Sequence, residues 1–420
     1  MGRSGLATLE LLKESGAPTH QICTFDIGSP GSGSYAHFHS PEEMLTQFKP
    51  KTLVVSPGVP LAQAWIQEAH KKGVVISSEL SLAAHFLQGE KIISVTGSIA
   101  KSTVTSLIGE AAKAQDPNCF VGGNLGTPLA EYIVQKKRGR PMAEWVILEL
   151  SSYQLENFFN LQSEVSVFTF LTPNHLERYS SLRDYYDQKW SLLQKTKRAI
   201  VLNSRGGDLS QDFDRQLREN KVPSSLSVRW TDRTLWPAHL EPKLLGEYNK
   251  DNLALAKAVI DFLRWPEASL SAVTQFPGLS HRLENLGEWS GRICVNDSKA
   301  TTMESVLSAA ETLVDGKIPV VLLLGGHDKN LPWETLSPLV SKKNLRFVFF
   351  GEYGPQAQTK TKLSGPVFKT LKDTMNQATS WSRPGDLILL SPGGTSHDEF
   401  KNFEERGQFF KNELARVFKK

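Results

Sequence analysis

Cysteine is scarce in this 420-residue chain: Cys23, Cys119 and Cys294 are far apart and odd in number. They form neither a disulfide framework nor a metal pattern, so a reducing compartment is expected. No apolar run approaches the roughly 18–20 residues needed to cross a bilayer, so membrane insertion is not expected. Residues 1–15 carry charge throughout, which argues against a signal peptide. Charge of one sign is never massed. The longest basic clusters are Lys136-Lys137-Arg138 and Lys419-Lys420, the net charge is +4, and no nucleic-acid partner is expected. There is no internal repeat and no low-complexity tract. A soluble cytoplasmic protein remains, expected to be a monomer, with 40% hydrophobic and 22% charged residues.

The length exceeds what one core usually serves and points to two or three domains. Short apolar or β-branched runs at 52–56, 92–96, 145–150, 166–171, 199–203, 293–297, 320–324, 347–351 and 387–391 predict strands. Amphipathic stretches lie between them, such as Val104, Leu107, Ile108 and Ala111 at helical spacing. Buried strands separated by helices predict an α/β fold with parallel sheets. Boundaries are expected near Gly89 and at Phe276-Pro277-Gly278, which reads as a hinge, giving sectors 1–90, 91–278 and 279–420. Residues 28–34, GSPGSGS, predict a flexible loop. Gly2-Arg3-Ser4-Gly5 followed by an apolar stretch has the form of a glycine turn opening a helix, without the strand that should precede it. A start further upstream is the expectation.

The strongest local signal runs from Ile93 to Thr103. An apolar strand enters a tight turn, Thr96-Gly97-Ser98-Ile99-Ala100, and Lys101-Ser102-Thr103 opens a helix. Backbone N–H groups at such a helix start face phosphates, the lysine supplies a point charge, and the following hydroxyl ligates Mg²⁺. The glycine that the pattern G-x-x-x-x-G-K-[ST] places before the lysine is Ala100 here. An alanine is comfortable there only if the backbone needs no positive φ; otherwise the penalty is roughly 1–2 kcal/mol. Glu149 closes the apolar run 145–150, where a carboxylate at a strand's carboxyl end suits a second Mg²⁺ contact. Polar clusters also follow the runs ending at 171, 297 and 324, including His175, Asp297-Ser298-Lys299 and His327-Asp328-Lys329. Solvated turns explain each of these clusters taken singly about as well.

In order and spacing, these segments resemble the Mur ligases of peptidoglycan precursor synthesis, in particular the glutamate-adding branch. The family's cradle is T-G-[TS]-N-G-K-[ST]-T. Further matches are Gly122-Gly123-Asn124-Leu125-Gly126, Glu149-Leu150-Ser151-Ser152-Tyr153-Gln154, Asn174-His175-Leu176-Glu177-Arg178-Tyr179 and Tyr186-Asp187-Gln188-Lys189. Beyond them come Asn249-Lys250-Asp251-Asn252, Gly278 to Glu284, Asn296 to Thr301, Ser391 to Ser396 and Phe400 to Glu404. The resemblance implies three domains: a Rossmann-like UDP-substrate domain, a central P-loop-type ATPase domain with mainly parallel sheet, and a Rossmann-like amino-acid domain.

The resemblance also implies roles. Gly97, Ser98, Ile99, Ala100, Lys101, Ser102 and Thr103 would cradle ATP, with Asn249, Asn252, Arg282 and Asp297 completing its site. Two Mg²⁺ ions are implied, one on Ser102 and Glu149, the other on His175 and Lys189. Lys189 would act as a carbamate, because an ammonium cannot ligate a cation. Lys101, Glu149, His175 and Lys189 would be catalytic. Asn124, Ser151, Gln154, Lys299, Thr301, Lys329, Ser396 and Phe403 would bind the substrates, UDP-N-acetylmuramoyl-L-alanine and D-glutamate, and the amino-acid sector would close on the nucleotide. Two departures stand out: Ile99-Ala100 replaces the Asn-Gly of the cradle, and Asp26-Ile27-Gly28 replaces the expected uracil-site residues. The alternatives are a homologue that has lost ATP turnover and a folylpolyglutamate synthase-like ligase.

Overall fold

The computed structural model describes residues 2–26, 35–173, 178–244, 247–314, 318–328 and 331–418. The expected loop at 28–34 and the departure at Ile27-Gly28 lie outside them, as do His175 and Lys329. The chain packs as two compact units: Met1–Glu241 with Lys250–Thr274, and Pro242–Asn249 with Gln275–Lys420.

The first unit opens with the Arg3–Glu14 helix, followed by four short strands among short helices. β1 (Cys23–Phe25) pairs in parallel with β2 (Ala36–Phe38), and β3 (Thr52–Val54) with β4 (Val75–Ser77). Met44, Leu53, Val55, Ile66 and Ala69 form a small core beside them. The larger part is a six-stranded parallel sheet made of β5 (Lys91–Thr96), β6 (Phe120–Gly123), β7 (Trp145–Glu149), β8 (Ser163–Phe168), β9 (Thr196–Asn203) and β10 (Ser227–Thr231). Its order is β10-β9-β8-β5-β7-β6. Strands 5 and 7 are buried along almost their whole length, which is why they read as continuous apolar runs rather than alternating ones.

The Arg3–Glu14 and Glu79–Ala84 helices pack on the Leu129–Lys137 helix, and Leu11, Leu80 and Ala83 enter the same core as Ile133 and Leu148. Polar ties reinforce that junction. The buried Glu90 carboxylate accepts from Lys136 Nζ at 2.7 Å, Tyr132 OH at 3.0 Å and Gln88 N at 2.6 Å. It thereby fastens the entry to β5 onto the Leu129–Lys137 helix.

The second unit holds β11 (Glu284–Trp289), β12 (Arg292–Asn296), β13 (Val320–Gly325), β14 (Leu345–Phe350), β15 (Val367–Phe368) and β16 (Leu387–Gly393). They form a sheet of order β11-β12-β16-β13-β14-β15, parallel except for β11 at its edge. Each face carries its own core: Val306, Trp333 and Leu389 on one, Phe350, Met375 and Phe410 on the other.

All nine predicted runs contain a strand. The one expected at 166–171 is displaced to Ser163–Phe168. Residues 169–171 leave the strand because Thr169 and Phe170 bond the turn that follows β5.

Glu90→Ala would remove the carboxylate that pairs with Lys136 and accepts from the Tyr132 hydroxyl, leaving Lys136 only the Phe86 carbonyl. It is expected to cost about 3 kcal/mol, read as a lowered urea midpoint at unchanged slope.

Candidate active site

β5 lies between β8 and β7, so its carboxyl end opens where parallel α/β sheets bind ligands. The turn there is pressed against the chain leaving β8. Gly97 has φ 149°, and a Cβ on it would overlap the Thr169 hydroxyl and come within 3.1 Å of Phe170 N. Only glycine permits this approach. Ser98 N donates to Phe170 O at 2.6 Å. The Ser98 hydroxyl donates to Thr172 O at 2.9 Å and accepts from Tyr185 OH at 3.0 Å. Thr169 Oγ1 donates to Ile99 O at 2.6 Å, and Lys101 Nζ to Ser98 O at 3.0 Å.

Ala100 caps the Lys101–Lys113 helix with φ 65° and ψ −4°. The position therefore does need a left-handed backbone, and the alanine carries the strain that glycine would avoid. Ile99 replaces the polar residue of the family pattern and stands 41% exposed at the tip of the turn.

Beside the turn stand a carboxylate and a second lysine. Val95 of β5 is in register with Glu149 of β7, which places that carboxylate next to the helix start. Glu149 Oε1 accepts from Asn124 Nδ2 at 2.6 Å, while Oε2 is buried with no hydrogen-bond partner. An orphaned carboxylate oxygen costs free energy unless a ligand meets it. Ser102, in the first turn of the helix, is buried, and Thr103 is half-buried.

Lys189, in the Leu182–Trp190 helix, is 1% exposed and donates to Gly97 O at 2.8 Å, its ammonium position 4.5 Å from the Tyr185 ring centre. Burial, aided by the Lys101 charge, holds its pKa well below the ordinary lysine value, with Glu149 acting the other way. Gly97, Ser98, Lys101, Glu149, Asn124 and Lys189 thus form one cluster.

The other sequence candidates are placed less directly. Ser151 and Gln154 form a reciprocal capping box on the short Ser152–Leu155 helix, and so also serve local structure. Asn249 and Asn252 are buried in the Glu247–Leu263 helix. In the second unit Asp297 follows β12. Its carboxylate accepts from Ser391 Oγ at 2.8 Å and Leu283 N at 3.2 Å, and burial pushes its pKa up to about 7 against those bonds. Lys299 Nζ lies 3.9 Å from the Phe403 ring centre, Arg282 and Thr301 are half-buried, and Ser396 is buried.

Two arginines escaped sequence reasoning. Arg178 pairs with Glu156 at 2.6 Å and covers the Tyr153 ring at 4.1 Å. Arg406 is wholly buried. Nothing in their local sequence distinguishes them from surface residues.

Over 386 residues the chain is 35% identical to a UDP-N-acetylmuramoylalanine--D-glutamate ligase of Anaeromyxobacter dehalogenans, covering 86% of this chain and 82% of that one. A protein of the same name from Desulfatibacillum aliphaticivorans is 34% identical over 392 residues, covering 88% and 85%. The chain belongs to the Mur ligase family. Residues 95–260 match the family described as Mur ligase middle domain, which spans the β5 turn, Glu149 and Lys189. The fold agrees with a solved Mur ligase, MurF of Thermotoga maritima in complex with ADP, at a TM-score of 0.61 and 15% identity over 87% of this chain and 98% of that one. The central parallel sheet is thus the Mur ligase α/β fold.

Within this Mur ligase turn the two backbone-strained positions should respond oppositely. Ala100→Gly removes about 1–2 kcal/mol of left-handed strain against about 0.5–1 kcal/mol of added chain entropy, and is expected to leave stability unchanged or slightly higher. Gly97→Ala must push the turn off Thr169 and is expected to cost more than about 2 kcal/mol. Thermal and urea melts of both variants check the pair.

Proposed function

We propose that this chain is an ATP-dependent ligase that joins D-glutamate to UDP-N-acetylmuramoyl-L-alanine in peptidoglycan precursor synthesis. The juxtaposition that carries the chemistry is the strained, glycine-dependent turn with Lys101, the unsatisfied Glu149 oxygen and the desolvated Lys189 around it. The names of the relatives supply the two substrates. The solved neighbour that holds ADP supports a nucleotide as the third.

The donor set fits Mg²⁺. Glu149 Oε2 is buried and lacks a hydrogen-bond partner, Ser102 is buried in the first turn of the helix after β5, and both side chains offer hard oxygen donors of the kind that ion takes. A metal held there would neutralise charge on the transferring phosphate. Lys189 and His175 are assigned to a second ion. Burial favours the uncharged amine of Lys189, the form that adds to CO₂: an N–C bond forms, one proton leaves, and the lysine becomes an anionic oxygen donor.

The residues then divide the work. Backbone N–H groups around 99–102 and the Lys101 ammonium orient the triphosphate, so that the alanyl carboxylate of the substrate attacks the γ-phosphorus. The P–O bond to ADP breaks and an acyl phosphate forms. The amine of D-glutamate adds to the acyl carbon, loses a proton, and the tetrahedral species expels phosphate to leave the amide. His175 or the modified Lys189 is assigned as proton acceptor. Asn249, Asn252, Arg282 and Asp297 are assigned to ATP. Asn124, Ser151 and Gln154 are assigned to the UDP-linked substrate, and Lys299, Thr301, Lys329, Ser396 and Phe403 to the amino acid. The proposal extends to three domains, 1–90, 91–278 and 279–420, and to a cytoplasmic monomer.

Phosphate release with ATP, Mg²⁺ and UDP-N-acetylmuramoyl-L-alanine is expected to depend on D-glutamate and to be absent with L-glutamate. Release with neither enantiomer contradicts the assignment.

Lys189→Met is expected to abolish that activity while stabilising the CO₂-free protein near neutral pH, by more at lower pH than at higher. The sign follows from the depressed lysine pKa. Between the folded value and the ordinary 10.5, the unfolded chain binds the extra proton, so parent stability rises with pH and the advantage of Met shrinks. Melts at several pH values in CO₂-stripped buffer test this.

A further inference from the structure

Arg406 sits in the first turn of the Phe403–Val417 helix with its side chain 0% exposed. Its guanidinium reaches two turns at the carboxyl edge of the second unit's sheet. After β12 it donates to Ser298 Oγ at 3.1 Å and Ser298 O at 2.8 Å. After β16 it donates to Gly394 O at 3.1 Å and Thr395 O at 3.0 Å. A third turn, after β13, packs against the same group: a Cβ on Gly326 would lie 2.3 Å from Thr395 O and 2.9 Å from Nη1. One planar group therefore fixes the spacing of two loops that are far apart in sequence.

All four acceptors are neutral oxygens. Asp398, Glu399 and Asp297 act on the cation only through space, and burial pulls its pKa down to about 10, so it stays charged at neutral pH. Burying a charge without a hydrogen-bonded counter-ion is unfavourable unless something else gains from it. A framework role alone is served as well by apolar packing, whereas an anionic ligand held by those turns gains from a fixed positive charge behind them. The turns carry Lys299 and Thr301 on one side and Ser396 on the other, and Ser298 Oγ also donates to Phe403 O at 2.8 Å.

We infer that Arg406 is a positioning residue for the amino-acid substrate, setting the register of the turns that hold it and supplying charge for its carboxylates. This rests on the ligase reading, which is what assigns Lys299, Thr301, Ser396 and Phe403 to the amino acid. A lysine preserves the charge but cannot span two turns with a planar fork.

The test is steady-state kinetics of the full-length protein with each substrate varied in turn, for the parent, Arg406→Lys, Arg406→Met and Ser298→Ala. Arg406→Lys is expected to raise KM for D-glutamate by about tenfold or more, with KM for ATP and for UDP-N-acetylmuramoyl-L-alanine within about twofold of the parent. Arg406→Met should exceed Arg406→Lys in the same direction. Should both arginine variants fail to fold, Ser298→Ala removes one acceptor and keeps the guanidinium, and KM for D-glutamate is expected to rise about threefold or more. An equal loss for all three substrates, or an unchanged KM for D-glutamate in the folded variants, overturns the inference. A parent protein without D-glutamate-dependent phosphate release instead overturns the ligase reading, and this inference with it.

Discussion

The hydrogen bond from Lys189 to the carbonyl of Gly97 joins the two halves of the candidate chemistry. It pins the turn after β5 from one side while Thr169, Phe170 and Thr172 pin it from the other. The grip works only because residue 97 lacks a Cβ, so that the turn and the strand-8 exit can touch. The same packing strips water from Lys189 and, with the Lys101 charge, holds its pKa well below the ordinary lysine value. The fixed turn and the lowered pKa of the lysine share one structural origin. A cradle fixed before its ligand arrives loses little order when it binds, which is how positioning contributes to phosphoryl transfer.

Both sheets bury polar groups at their carboxyl ends at a cost to stability. In the first unit these are Glu149, with one oxygen unsatisfied, and Lys189. In the second they are Asp297 and Arg406, the first raised to about 7 and the second lowered to about 10 by desolvation. The cores of both units are largely apolar, and these four groups lie at the edge where parallel sheets meet ligands. Strained Ala100 belongs to the same set. Such concentrations of unfavourable groups are expected where function, rather than folding, selects the residue.

Much of the frame was legible because strands buried on both faces write themselves as apolar runs. Short strands such as β1, β2 and β4 were not, since three residues that are mostly half-exposed leave no period to read. The turn from Gly97 to Lys101 was legible as a motif, and its family made the pairing with Glu149 and Lys189 an expectation. The left-handed backbone at Ala100 was legible only as a condition, because φ is set by neighbours that the local sequence does not name. Lys189 read alone is a surface lysine; its burial comes from the turn and from Tyr185, the latter four residues earlier in its helix. Arg406 left no trace, for its partner Ser298 lies 108 residues away.

Calorimetric titration of ATP into the intact protein with Mg²⁺ tests the central claim most directly. The account predicts uptake of one nucleotide that is lost in a folded Lys101→Ala variant. Folded parent protein that takes up no ATP, or a Lys101→Ala variant that binds it equally well, would contradict the assignment of the turn after β5 as the phosphate cradle.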